Sequence, residues 1–228
     1  MKEAMNAKPE KQGNTDVSRR RFLGYAGGLA GAALLLDSCK KEDEPVISSG
    51  DGVMDLGMND TGLLNLIFVI SQVEAAFFEQ VVLTPFSTNS DEIGLITRMR
   101  DHKTAHKELI RTYLDGKGTH VTTDFSAINF GNKDGVLENA ELLANISTGN
   151  CNEAARLLIS DKHVEIVAKM GSVNARHAAA ISNMRSLGNF FGPVDAIGEE
   201  PGILPANAIA TINRFLTTKV SGNNLPNK

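Results

Sequence analysis

Residues 163–184 read HVEIVAKMGSVNARHAAAISNM. Apolar residues recur through the stretch at helical spacing. It is therefore read as one long helix, capped by Ser160 or Asp161 and reaching about Ser186. Within it Asn174 stands three residues before His177, a spacing that sets both side chains on one helix face. A histidine on such a face is either a hydrogen-bonded core residue or a ligand, and the rest of the chain has to decide between them.

Three more long helices follow from the same reading. The first begins at the N-cap Thr61, runs through GLLNLIFVISQVEAAFFEQVVL and stops at Thr84-Pro85. It is apolar on nearly every side, as expected of a helix buried among others. The second opens at Ser90-Asp91-Glu92, whose acidic residues suit the positive end of the helix dipole, and ends at Asp115-Gly116. The third starts near Asp134 and covers VLENAELLANIS, with a break expected at Gly149-Asn150 before NEAARLLIS resumes. Between the second and third lies GKGTHVTTDFSAINFGNK, which has no helical period and suits a crossover along a bundle, with room for a short strand. After the fourth come loops and then a short helix starting at Pro205, a residue suited to the first helical turn. Two helices, a long crossover and two helices is the connectivity of a four-helix bundle of the ferritin-like kind, an all-α fold.

Composition narrows the function classes. The chain has 228 residues and a formal charge of −4. Without residues 1–38 the balance becomes 17 basic against 23 acidic residues, or −6. An acidic surface of this kind argues against nucleic acid, which demands clustered positive charge. There is no Trp and there are two Tyr, which counts against a platform for stacking sugars or bases. Of the two cysteines, one is accounted for below, leaving Cys151 without a partner in the chain and ruling out a Cys-rich metal site.

The first forty residues read as a targeting segment. Ser18-Arg19-Arg20-Arg21-Phe22-Leu23 resembles the twin-arginine export signal, with Arg19 and Arg20 as its arginine pair. The apolar run from Leu23 to Leu36 is shorter than the roughly 20 residues of a membrane span and suits a signal h-region. It ends in Leu36-Asp37-Ser38-Cys39, which looks like a lipobox with Cys39 as the lipid attachment site. The alternative is an uncleaved anchor helix with an incidental Cys. The expectation is a signal peptide over 1–38, a flexible charged tether over 39–58 and a bundle domain over 59–228. Lys40-Lys41-Glu42-Asp43-Glu44 is a solvated tether on charge alone. It also resembles the signal that sends Bacteroidetes lipoproteins to the outer face of the outer membrane. That resemblance implies a cell-envelope protein, lipid-anchored in the outer membrane, facing either the periplasm or the surface.

Several stretches together resemble the exported ferritin-like domain family, which includes desiccation-related proteins of plants and many bacterial secreted proteins. These are VEAAFFEQ in the first helix, DHKTAHKEL in the second, TDFS before the third, NARHAAAI in the fourth and the closing PANAIATINRFL. The likeness covers about residues 61–217. Bundles of this kind hold two irons through a Glu on the first and third helices and Glu-x-x-His on the second and fourth. Carboxylates are hard and able to bridge two cations, and imidazole adds a neutral directional ligand.

Carried over residue by residue, that pattern implies a degenerate site. His106 and His177 fall on the histidine positions, while the four carboxylate positions fall on Ser71, Lys103, Ala144 and Asn174. Glu74 lies three residues from Ser71, and Glu141 three from Ala144, so each shares a face with a lost position. A displaced site of Glu74, Glu141, His106 and His177 is conceivable. Lys103 weighs against it, because an ammonium repels ferrous ions and cannot ligate while charged. Lys103 could instead pair with Glu74 or Glu141. His102 and His163 are expected on solvated or partly exposed faces, and His120 lies in the crossover. Phe77, Phe78, Met99 and Met170 are expected in the core, as is Cys151.

Two functions remain in view. One is a non-catalytic binding or assembly scaffold without a di-iron site or cofactor, bound to the membrane through Cys39. Such a scaffold could associate with itself or with another ferritin-like protein. The other is a di-iron or mononuclear protein handling iron or peroxide through displaced ligands. The two differ in whether Glu74, Glu141, His106 and His177 converge on one point.

Overall fold

A computed structural model gives the architecture and describes residues 48–49, 52–190 and 200–226. Two short strands, β1 (Ser48–Ser49) and β2 (Val53–Asp55), lead into helix α1 (Asn59–Leu83). Then come α2 (Ser90–Leu114), α3 (Lys133–Leu157) and α4 (Asp161–Arg185), followed by the short α5 (Pro205–Ile212), a 3-10 turn over Asn213–Phe215 and β3 (Val220–Ser221). The four long helices make the expected bundle, mostly helical and ferritin-like in connectivity.

Helix α1 is the centre of the bundle. It is long and apolar enough to cross a membrane by length and composition, yet its side chains from Leu63 to Phe78 are almost all sealed inside the protein. Its apolarity thus follows from burial on several sides. Fully burying each Leu, Ile or Phe contributes about 1.5–3 kcal/mol. α1 packs lengthwise on α2, α3 packs lengthwise on α4, α1 also meets α3, and α2 touches α4 only sparsely. Phe77, Phe78, Met99 and Met170 all lie in this core.

Side chains of α1 hold the crossover, residues 115–132, in place. Asn65 Oδ1 accepts from the Thr119 amide at 2.9 Å, while Asn65 Nδ2 donates to Leu56 O at 3.0 Å. Two turns further on, Gln72 Nε2 donates to Thr119 O at 2.9 Å. Phe125 and Phe130 cover Phe77 with ring centroids at 5.9 and 5.5 Å. The short strand allowed for in the crossover is a single bridge, Thr123 to Leu216.

Three sequence expectations need correction. Helix α3 does not break at Gly149-Asn150 but runs unbroken to Leu157. Gly149 serves close approach: a Cβ there would lie 2.5 Å from Ile203 Cγ1, and the Gly149 carbonyl also accepts the Ile203 amide at 2.9 Å. The tether expected over 39–58 gives way to folded structure before its end. β2 pairs in parallel with β3, and Leu56 is completely buried. The backbone bonds from Met54 to Lys219 and from Leu56 to Ser221 explain this order, which a reading for helical period could not detect. The bundle helix α1 also starts two residues earlier than Thr61, at Asn59. There Asp60 accepts from the Ile159 and Ser160 amides and contacts His163 Nδ1, at 2.9, 3.0 and 2.8 Å. Burial opposes the charge of Asp60, but the Ile159, His163 and Ser160 contacts hold its carboxyl below the usual range.

The described residues belong to one compact unit. The expected signal peptide 1–38, with Arg19 and Arg20, and the expected lipid attachment site Cys39 that follows it lie outside the described residues.

Candidate functional site

The four long helices each send a polar side chain to one point in the bundle centre. From α2 comes Lys103, fully buried, and from α1 comes Glu74, 1 % exposed. Lys103 Nζ lies 2.6 Å from Glu74 Oε1, an ion pair closed off from water. The ammonium also donates to Asn174 Oδ1 of α4 at 2.8 Å. Asn174 Nδ2 in turn donates to Ser147 Oγ of α3 at 2.7 Å and sits 3.8 Å from Cys151 Sγ. The amide therefore uses both its ends, the oxygen on the cation and the nitrogen on a hydroxyl.

All four positions implied for lost carboxylates are buried: Ser71, Lys103, Ala144 and Asn174. Two of them, Lys103 and Asn174, bond directly to each other. Of the two acids near those positions, Glu74 enters the centre and Glu141 does not. Glu141 forms an ion pair with Arg185 near the end of α4. The alternatives left open for Lys103 thus resolve on Glu74.

Burial pushes the Glu74 carboxyl above the usual carboxylate range, against the pull of the Lys103 charge and the Lys103 and Ser147 contacts. Burial also pushes the Cys151 thiol up to about 12, with the Glu74 charge adding to it. A thiol so protonated is no nucleophile near neutral pH.

The two histidines sit on the outer side of this centre. His177 is 7 % exposed, and His106 is half-buried one turn beyond Lys103. Burial, then the nearby Lys103 and His102, lowers His106 to about 4, and only an Asn174 contact opposes this. Burial and the Lys103, His102, His106 and Arg176 charges lower His177 to about 3. Both rings are therefore neutral near pH 7.

His177 has a partner that the sequence reading placed on a solvated face. His102 Nδ1 lies 3.0 Å from His177 Nε2, with the rings within 15° of parallel and their centroids 5.2 Å apart. One ring must donate and the other accept. His177 Nδ1 is buried without a hydrogen-bond partner. A lone pair is less costly to leave there than an N–H, so His177 carries its proton on Nε2 and donates to His102. His102 is nonetheless exposed and His163 partly covered where it contacts Asp60, as expected of both, and His120 meets the edge of Phe68 in the crossover.

These residues do not fit a pair of irons. The centre supplies one carboxylate, already engaged by an ammonium, and two imidazoles, one of them bonded to a third. Among the described residues, no group of three or more His, Cys, Asp or Glu is placed to hold a metal ion. The participants that sequence reasoning missed are Ser147 and His102. Ser147 follows Ala144 by one turn and shares its face, so the helical period alone could have flagged it. His102 bore no such signal, because its neighbour on α4 depends on how α2 and α4 are set against each other.

No curated protein matches the chain. The model of the ferritin-like domain matches residues 59–187, more than half of the chain and all four long helices up to their ends. By that match and by its fold, the chain belongs to the ferritin-like domain family.

Proposed function

We propose that this chain is an exported, lipid-anchored ferritin-like protein that serves as a non-catalytic binding or assembly scaffold. In this reading an internal ion pair stands where relatives of the exported type hold two irons. The observation that carries it is the position of Lys103, fully buried between Glu74 and Asn174. A metal cation and an ammonium compete for the same volume and the same anionic oxygen. Glu141, which a displaced centre would need, is engaged by Arg185 instead. The resemblance of Arg19, Arg20 and Cys39 to export and lipidation signals supports anchoring in the cell envelope, with the tether implying the outer membrane. Helical bundles commonly associate, so the partner of such a scaffold is a second copy or another ferritin-like protein.

The test is elemental analysis of the full chain purified from iron-replete cells, together with an assay of ferrous oxidation. The expected result is iron far below one equivalent and oxidation at the background rate. Two equivalents of iron with catalysed oxidation would end the scaffold reading. Metabolic labelling with a radioactive fatty acid, compared with Cys39→Ala, tests the anchor separately.

A further inference from the structure

The seam where α2 and α4 meet only sparsely opens to solvent as a groove of about 500 Å³. Its apolar floor comes from Leu95, Met99, Val173 and Ala180. Its polar lining is Arg98, His102, His106, Arg176 and His177, and no acidic side chain contributes to it. Arg98 and Arg176 are exposed and make no ion pair among the described residues, and the Arg98 guanidinium lies back towards Gly94. Behind the groove stands the buried Lys103, which is committed to Glu74 and Asn174.

We propose that this groove binds an organic carboxylate carrying a compact apolar body, the head group held by Arg98 and Arg176 and the body lying on Leu95, Met99 and Val173. The volume is in the range of small-ligand sites, which are mostly apolar with a few placed polar groups. A planar guanidinium matches a carboxylate with two parallel hydrogen bonds, and two arginines that make no ion pair among the described residues leave that capacity unused. The Nδ1 atoms of His177 and His106 are sealed from the groove, so the arginines alone supply its charge for a head group. The apolar floor distinguishes the ligand from a bare inorganic anion, which would gain nothing from Leu95 or Val173. The site gives the scaffold reading a ligand class. The iron assay tests that reading and the titration below tests only the groove, so either can fail alone.

The experiment is calorimetric titration of the full chain with octanoate, octanol and inorganic phosphate, each also against the double variant R98Q/R176Q. Both arginines are surface residues, so far-ultraviolet circular dichroism should show an unchanged fold. The expected result is saturable octanoate binding that weakens about tenfold or more in R98Q/R176Q, the loss of a charge-assisted contact or two. Octanol should bind more weakly and without regard to the arginines, and phosphate more weakly than octanoate. A further variant, Val173→Asp, should weaken octanoate while leaving phosphate unchanged or weaker. Octanoate and octanol binding equally would overturn the proposal, as would octanoate binding indifferent to the arginines. Phosphate binding as tightly as octanoate, or no saturable octanoate binding, would do the same.

Discussion

Lys103 Nζ and Glu74 Oε1 lie 2.6 Å apart with both side chains sealed from water, so the bundle is centred on a desolvated ion pair. Such a pair is expensive to form, and its members depend on each other. Removing only one leaves the other buried and uncompensated. Lys103→Ala and Glu74→Ala should therefore each destabilise the protein by about 3–5 kcal/mol, measured by urea denaturation. Replacing both by apolar residues of similar volume, as in K103M/E74L, should recover most of that loss. Additive losses in the double variant would show that the two side chains do not act as a pair.

Metal dependence separates this interior from that of a metalloprotein. A bundle held together by bound iron loses stability when the metal is removed, because a ligand that binds only the folded state stabilises it. The melting temperature of the native chain should be the same with a strong chelator and with added ferrous iron or zinc. The variant S71E/K103E/A144E/N174E places carboxylates at all four buried positions. It should be much less stable than the native chain in chelator, since unpaired buried carboxylates are costly, and should gain stability when zinc is added. A native chain that melts earlier in chelator would contradict the ion-paired interior.

The helical period carried the bundle. α2, α4 and α5 lie within about a residue of where N-caps, Pro205 and the spacing of apolar residues placed them. The four interior positions were legible for the same reason, since a helix face is a matter of spacing. What escaped the sequence depended on contacts between distant segments. The β2–β3 pairing joins residues on either side of the whole bundle, and nothing local marks Val53–Asp55 as a partner of Val220–Ser221. Likewise Glu74 and Glu141 looked equivalent by spacing. Only the packing of α4 on α3, which brings Arg185 to Glu141, tells them apart.

Gly149 shows the same limit, because its sequence context suggested a break and its neighbour Ile203 explains its presence. In an exposed helix interior, Gly→Ala stabilises by about 1 kcal/mol. At position 149 a Cβ would meet Ile203 Cγ1 at 2.5 Å and Ile203 Cβ at 3.2 Å, so the whole Ile203 side chain must move. Gly149→Ala should therefore destabilise, by about 1–3 kcal/mol as for other overpacked cores. In the background Ile203→Ala the same substitution should become neutral or stabilising. A stabilising Gly149→Ala in the native background would show that the segment bearing Ile203 does not press on α3.

Acid should weaken the fold through the two interior-facing histidines. His106 and His177 take up protons in the unfolded chain near the ordinary pKa of 6.5, but in the folded protein only near 4 and 3. Between those values the unfolded state binds more protons, so stability rises with pH in that window. Their contribution is fully present above about 6.5 and is lost as the pH falls towards 4 and then 3. Well inside the window each histidine adds a slope of roughly 1.4 kcal/mol per pH unit. A protonated His177 would also face the charges of Lys103 behind it and of Arg98 and Arg176 beside it. His177→Gln, which keeps a polar group that cannot titrate, should flatten the fall in urea stability between about pH 6 and about pH 4. His163, bonded to Asp60 at the far end of α4, offers the control: changing it to Gln should leave the slope attributed to His177 in place. If His177→Gln leaves the acid slope unchanged, the buried imidazole is not what the protein loses on acidification.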